Sequence, residues 1–291
     1  MKLTHRRAVL LMIAVTLMWA TAGVVTRHLD AAGSFEVTFW RSFFTALSLL
    51  VLLPLIQGRA VFSKIRHGGA ALWVSGLCWS VMFTAFMLAL TLTTVANVLV
   101  TLALGPLMTA LASRVFIGHR IPTRTWLAIA VASVGIAWMY GGQVDLSSQL
   151  PGTLIALLVP IAGAINWTVV QHSRAHGKNI DLVPAVLVGA LLSSLLTLPL
   201  SLPLQATPHD IGLLAILGLF QLAIPCVLAV WCAGVLKAPE ISLLALIEVI
   251  FGILLAWVGA GEAPGANVLT GGTLVLSALV INAIFGWKQR T

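Results

Sequence analysis

Long apolar runs separated by short polar punctuation make up nearly the whole chain. Runs of spanning length recur ten times, near 8–26, 35–56, 70–90, 93–115, 122–140, 150–171, 183–202, 210–232, 239–259 and 267–286. About 20 apolar residues are what an α-helix needs to cross a bilayer core. A backbone in lipid must satisfy its own hydrogen bonds, so spans of this length are helices. The pattern predicts an all-α polytopic membrane protein with ten transmembrane helices.

Composition agrees. Of 291 residues, 60% are hydrophobic, with only 16 Lys and Arg and 8 Asp and Glu. So few charges cannot coat a soluble domain of this size. The charges are also unevenly placed. With the N-terminus set on the cytoplasmic side, every Lys and Arg except Arg27 and Arg41 falls on that side. Arg27 falls outside, and Arg41 lies near the outer end of the second span, where it is expected to snorkel. This asymmetry predicts both termini in the cytoplasm of a bacterial inner-membrane protein. The net charge of +8 then reports topology, and no nucleic-acid partner is expected. Residues 2–26 imitate a signal peptide, with a basic start and Ala20-Thr21-Ala22 as a cleavage-like site. Their apolar run is long enough to span, however, and is needed as the first helix. Cys78, Cys226 and Cys232 all fall at membrane depth and are expected to be small packing residues.

The ten spans divide into two sets of five, residues 1–145 and 146–291. At an offset of 143, Pro106 falls on Val249, Gly118-His119 on Gly261-Glu262, and Ala128 on Gly271. Five is odd, so the second set enters the membrane from the opposite face. Such inverted repeats place a solute site at the interface between the copies. The short basic N-terminus, Trp19, the short turns after spans 3 and 8, and the run Glu240–Glu262 ending in Gly261-Glu262 resemble the EamA-type branch of the drug/metabolite transporter superfamily. The resemblance covers essentially the whole chain. That family commonly has Glu-Pro where this chain has Glu248-Val249, and Gly-Glu where it has Gly118-His119, so no role carries over to Val249 or His119. Among its branches the chain most resembles bacterial aromatic amino acid exporters. The resemblance implies a basket-shaped bundle whose spans 1, 3, 4, 6, 8 and 9 line a central cavity.

The candidate site is drawn from polar and aromatic residues at depth. Trp40, Trp73, Trp126, Trp138, Trp231, Trp257 and Trp287 lie near span ends, as an interfacial belt would place them. Trp19, Trp79 and Trp167 lie deeper. Trp79, Met82, Phe83 and Phe86 follow i, i+3, i+4, i+7 spacing and share one helix face. That face either packs helices or walls a cavity suited to a flat solute. Asn97, Asn166 and Gln221 either bond neighbouring helices or bind a solute's carboxylate or ammonium. Glu248 stands near the middle of the apolar stretch Ile241–Val258. A charge at that depth costs roughly 2.5–3.5 kcal/mol on insertion scales. It has three open readings: an ion-pair partner, a ligand for a solute ammonium, or a proton carrier. Pro106, Pro160 and Pro225 fall inside spans, where each removes a backbone bond and marks a hinge or a fixed kink.

No serine- or aspartyl-protease motif, P-loop or metal-ligand spacing is present, so no enzyme activity and no cofactor is expected. The predicted function is secondary export, by alternating access, of aromatic amino acids or related flat metabolites and xenobiotics. The expected partners are the small-molecule substrate and membrane lipid. Export of small aliphatic amino acids or other polar metabolites is the alternative in the same class. A lipid scramblase or non-transporting scaffold is the alternative from another.

Overall fold

The computed structural model describes residues 3–58, 60–117, 122–141, 146–175, 181–236 and 238–288. Every regular element among them is helical. In chain order these are α1 (His5–Thr26), α2 (Ser34–Gln57), α3 (Ala60–His67), α4 (Gly69–Leu92), α5 (Val95–Leu102), α6 (Gly105–Ile117), α7 (Thr123–Gly141) and α8 (Leu146–Ala175). There follow α9 (Val183–Thr197) with a 3₁₀ turn at Leu198–Leu200, α10 (Pro208–Ile216), a π-helical segment at Leu217–Ala223, α11 (Ile224–Cys232), α12 (Ala238–Ala260) and α13 (Ala266–Lys288). Among the described residues, seven helices are long and apolar enough to cross a membrane. Shorter apolar stretches lie within α12 and α13.

Proline explains two departures from uninterrupted spans. The expected span at 93–115 is split, because α5 ends at Leu102 and α6 starts at Gly105. Pro106 has no N–H to donate and its ring crowds the carbonyl of Leu102, so the ladder breaks there rather than bending. In the expected span at 210–232, Pro225 likewise cannot bond the Gln221 carbonyl. The preceding turns slip to the wider π spacing at Leu217–Ala223. Pro160 is instead absorbed inside α8. The short helix α3 is an addition that hydropathy did not announce.

The bundle is turned outward to lipid. Leu55, Leu127 and Leu195 are exposed, and Val258 is 85% exposed. Polar groups face inward and meet each other. Ser193 of α9 bonds Ser42 of α2 at 2.9 Å and Thr84 of α4 at 2.8 Å. Helix α4 packs along α8 and α9, α2 along α9 and the π-segment, and α1 along α11 and α12. Helix α7 pairs with α13, α6 lies on α8, and α5 on α12. Two glycines let helices of the bundle approach closely at equivalent places. A Cβ at Gly76 would lie 2.6 Å from Val188 of α9, and one at Gly218 would lie 2.9 Å from the Arg41 carbonyl and the Thr45 nitrogen of α2.

Candidate functional site

A cavity of about 630 Å³ lies at the end of the bundle where the chain begins. Leu3 and Leu11 line it together with Ser75 and Trp79 of α4, Asn166 and Trp167 of α8, residues 181–183, and Val230, Trp231, Ala233 and Gly234. Its aromatic wall follows from helix packing. Gly189 of α9 lets α4 approach so closely that a Cβ there would fall 2.4 Å from Trp79 Cβ. Trp79, pressed against that glycine, tilts over Phe83 at 5.4 Å and meets Trp167 edge-on at 6.4 Å. Ser75, one turn before Trp79, donates to Asn166 Oδ1 at 2.6 Å. With that oxygen engaged, Asn166 has N–H donors to offer a solute.

Deeper in the bundle is a cluster whose polar atoms are not all satisfied. Arg41 is 1% exposed, and its guanidinium lies 5.6 Å over the Phe86 ring of α4. Its Nε and Nη1 are buried without an acceptor. Glu248 of α12 is the carboxylate that acts on it electrostatically. The expectation that Arg41 snorkels is therefore corrected. Helix α2 packs backbone to backbone on Gly218, and Thr45 Oγ1 bonds both the Arg41 carbonyl, at 2.8 Å, and the Gly218 carbonyl, at 3.1 Å. These contacts hold α2 with Arg41 turned into the bundle and shielded from its surface. One turn along the π-segment, Gln221 donates weakly to the Trp19 carbonyl at 3.4 Å, while its Oε1 is buried without a donor.

At the opposite end, acidic residues tie loops together. Gly261 has a φ of +67°, a conformation that glycine adopts without strain. It ends α12 and aims Glu262 back at the bundle. One Glu262 oxygen accepts from Arg27 Nε, the other from the Val95 N–H at 2.6 Å. Arg27 also donates to the carbonyls of Leu90 at 2.6 Å and Thr93 at 2.8 Å. Buried Asp210 accepts N–H bonds from Asp30, Ala31, Ala32 and Thr207, and closes a capping box with Thr207. Buried Glu36 accepts from Gln205 and Ala206, both at 2.9 Å, and from Trp40 Nε1 at 3.2 Å. The α1–α2 loop is thus held by α10, and the α9–α10 loop by α2.

The predicted site residues separate into groups. Trp79, Asn166 and Trp167 line the cavity, and Trp19 packs against the same cluster as Trp79. Phe83 stacks behind Trp79, and Phe86 lies under Arg41. Gln221 and Glu248 belong to the deeper cluster. Asn97 lies elsewhere, donating to Thr93 at 3.1 Å and to Gln149 at 2.7 Å beside the clamped end. Pro160 is helical, Pro106 sits at a break, and Pro225 follows the π-segment. Trp231, assigned to the interfacial belt, lines the cavity. Gly118-His119 and Glu240's side chain lie outside the described residues. Sequence reading missed Arg27, Glu36, Asp210 and Glu262. Asp210 carried a local signal in the Thr207-x-x-Asp210 capping pattern, and Glu262 stood in the Gly261-Glu262 motif without its Arg27 partner being legible. Ligand atoms of Asp30, His209 and Asp210 come within 4.8 Å of one another. His209 pairs with Asp30 at 3.0 Å, while the Asp210 oxygens serve backbone N–H groups. That arrangement is a loop tie.

Comparison with known proteins places this geometry. The pseudopaline exporter CntI of Pseudomonas aeruginosa, from two strains, is 24% identical over 94% of this chain and 93% of its own length. An uncharacterized transporter of Vibrio cholerae is 23% identical over 52% of this chain and 50% of its own length. One solved crystal structure superposes with a TM-score of 0.67 at 16% identity, covering 99% of this chain and 100% of that one. At that identity the likeness is one of fold. Residues 6–141 match the model of the EamA-like transporter family. These relatives are transporters, not enzymes, and they place a small-molecule solute and a membrane around the chain. The chain is a multi-pass, all-helical membrane protein whose residues 6–141, a little under half of its length, are similar to the EamA-like transporter family.

Proposed function

We propose that this transporter is a bacterial inner-membrane exporter of amino-acid-like metabolites with a flat aromatic group, working by alternating access with both termini cytoplasmic. Its ten spans form two inverted halves, residues 1–145 and 146–291. The packing supports the repeat, because exchanging the halves turns one set of contacts into the other. The α4 contact with α8 has its counterpart in α11 with α1, α4 with α9 in the π-segment with α2, and α6 with α8 in α12 with α1. Gly76 against Ala185 and Val188 answers Gly218 against Arg41 and Thr45, at the same offset of 143 to within one residue. The basic residues Lys64, Arg66 and His67 close α3 at the cavity end, which supports a cytoplasmic orientation for it.

The observation that carries the reading is a cavity walled by Trp79 and Trp167 at one end of a bundle whose other end is tied shut. Aromatic walls with a few convergent polar groups suit a flat, partly polar solute. The break before Pro106 and the π-segment before Pro225 let half-helices swing, and access passes to the other side when the Arg27–Glu262 tie opens. Reconstituted vesicles should accumulate labelled phenylalanine and tryptophan more than leucine. Equal transport of the three, or transport of none, would sink the aromatic assignment. A second reading, export of a polar metabolite, is favoured by the near-full-length relation to a pseudopaline exporter. It predicts that aromatic amino acids fail to compete for uptake of such a metabolite.

A further inference from the structure

Among the described residues, the least satisfied polar side chain within a candidate span is Arg41. It is 1% exposed, one face is covered by Phe86, and Nε and Nη1 have no acceptor. A buried cation whose donors are not all met is expensive, and a carboxylate and a spare acceptor lie in the protein around it. Glu248 interacts with it electrostatically across the bundle. Gln221 Oε1, an acceptor without a donor, lies one turn from Gly218, which packs on the backbone of Arg41. Unmet donors on α2 and an unmet acceptor on the π-segment packed against it thus accompany the Glu248 charge of α12, and α2 belongs to the half of the proposed repeat opposite the other two.

We propose that Arg41 receives the carboxylate of a zwitterionic solute while Glu248 and Gln221 receive its ammonium group, so that the substrate class is free amino acids or amino-acid-like zwitterions. The inference deepens the exporter reading and rests on it, but it does not depend on an aromatic side chain. A guanidinium suits the task because its planar donors match a carboxylate bidentately and its charge does not titrate away. In the solute-free protein Glu248 serves as the counter-ion of Arg41. The arriving carboxylate takes its place on the guanidinium, and the released Glu248 meets the ammonium group.

The test is equilibrium binding to the purified full-length protein in detergent, with three related ligands: phenylalanine, phenethylamine without the carboxylate, and 3-phenylpropionate without the ammonium. Leucine and isopentylamine form a matching aliphatic pair. Wild type should bind each amino acid roughly ten- to hundredfold more tightly than its amine, the loss expected for a charge-assisted pair. Arg41→Ala should weaken phenylalanine and 3-phenylpropionate but not phenethylamine. Glu248→Gln should weaken phenylalanine and phenethylamine but not 3-phenylpropionate. That crossed pattern separates solute contacts from a structural ion pair, whose loss would weaken all three ligands alike. Should Arg41→Ala fail to fold, Arg41→Lys keeps a buried cation without the planar fork, and unchanged phenylalanine affinity in it overturns the proposal. Wild-type affinity equal for amino acid and amine also overturns it. Leucine binding as tightly as phenylalanine, with the carboxylate still required, overturns the aromatic reading and leaves the Arg41 assignment standing.

Discussion

The two ends of the bundle are built on different principles. At the cavity end, the described contacts across the opening are few. Lys64 reaches Asp181 at 3.0 Å with its own side chain exposed and that of Asp181 partly so, and the remaining lining is mostly apolar. At the opposite end, Arg27, Glu36, Asp210 and Glu262 are buried or half-buried, and most of their bonds go to backbone groups of other segments. The difference matters because energy per contact follows burial. An exposed ion pair contributes at most about 1 kcal/mol, whereas a buried carboxylate serving several N–H groups leaves each of them unpaired when it is removed. One end is cheap to rearrange, and the other is held by buried ties.

The sharpest way to break that contrast is Asp210→Ala. It strips acceptors from the N–H groups of Asp30, Ala31, Ala32 and Thr207 at once. The expected loss is roughly 3–5 kcal/mol, read as a lowered unfolding midpoint in detergent, with Asp210→Asn losing less. A midpoint within a degree of wild type would mean that the loops are held by something else.

Next in size is Glu262→Gln. Arg27 keeps its bonds to the Leu90 and Thr93 carbonyls but loses its counter-ion, so the expected cost is about 1–3 kcal/mol against the closed state. A cysteine placed at Val95, which is 1% exposed, should then label several-fold faster with a thiol reagent, while one at the exposed cavity position Gly234 should label more slowly. The native cysteines are all buried, so they give little background. Equal change at both positions would indicate general loosening rather than a shift between two states.

A smaller effect is expected from the aromatic wall. Alanine at Trp19, Trp79 or Trp167 should reduce phenylalanine transport several-fold more than leucine transport, since an aromatic contact is worth about 0.5–1.5 kcal/mol beyond its burial. Phenylalanine at the same positions should restore part of the loss. Trp126, 45% exposed, should tolerate phenylalanine with selectivity unchanged. Loss shared equally by both solutes would reduce the tryptophans to packing.

The smallest change is expected at Lys64→Ala. Breaking its exposed pair with Asp181 should cost under about 1 kcal/mol and leave uptake near wild type. A large loss there would show that the cavity end is also gated, and the contrast between the ends would fail.

Hydropathy and proline placement decided much of this protein locally. Apolar runs must become helices in lipid because no other partner exists for their backbone groups. Pro106 and Pro225 fix where those helices break or widen, since a missing N–H acts on the residue four positions earlier. Thr207 and Asp210 cap α10 from within one turn. What the helices enclose was not legible in the same way. Periodicity assigned Trp79, Phe83 and Phe86 to one face of α4, yet only packing put Trp79 in the cavity, Phe83 behind it and Phe86 beneath Arg41. Arg27 and Glu262 meet across 235 residues, a distance over which no local signal carries. Arg41 looked free to reach the headgroups until the close approach of α2 to Gly218 fixed its helix with the guanidinium inward. The sequence states how strongly each residue resists lipid. Which buried polar groups then face one another depends on helix rotation and spacing, and the small residues at the crossings set both.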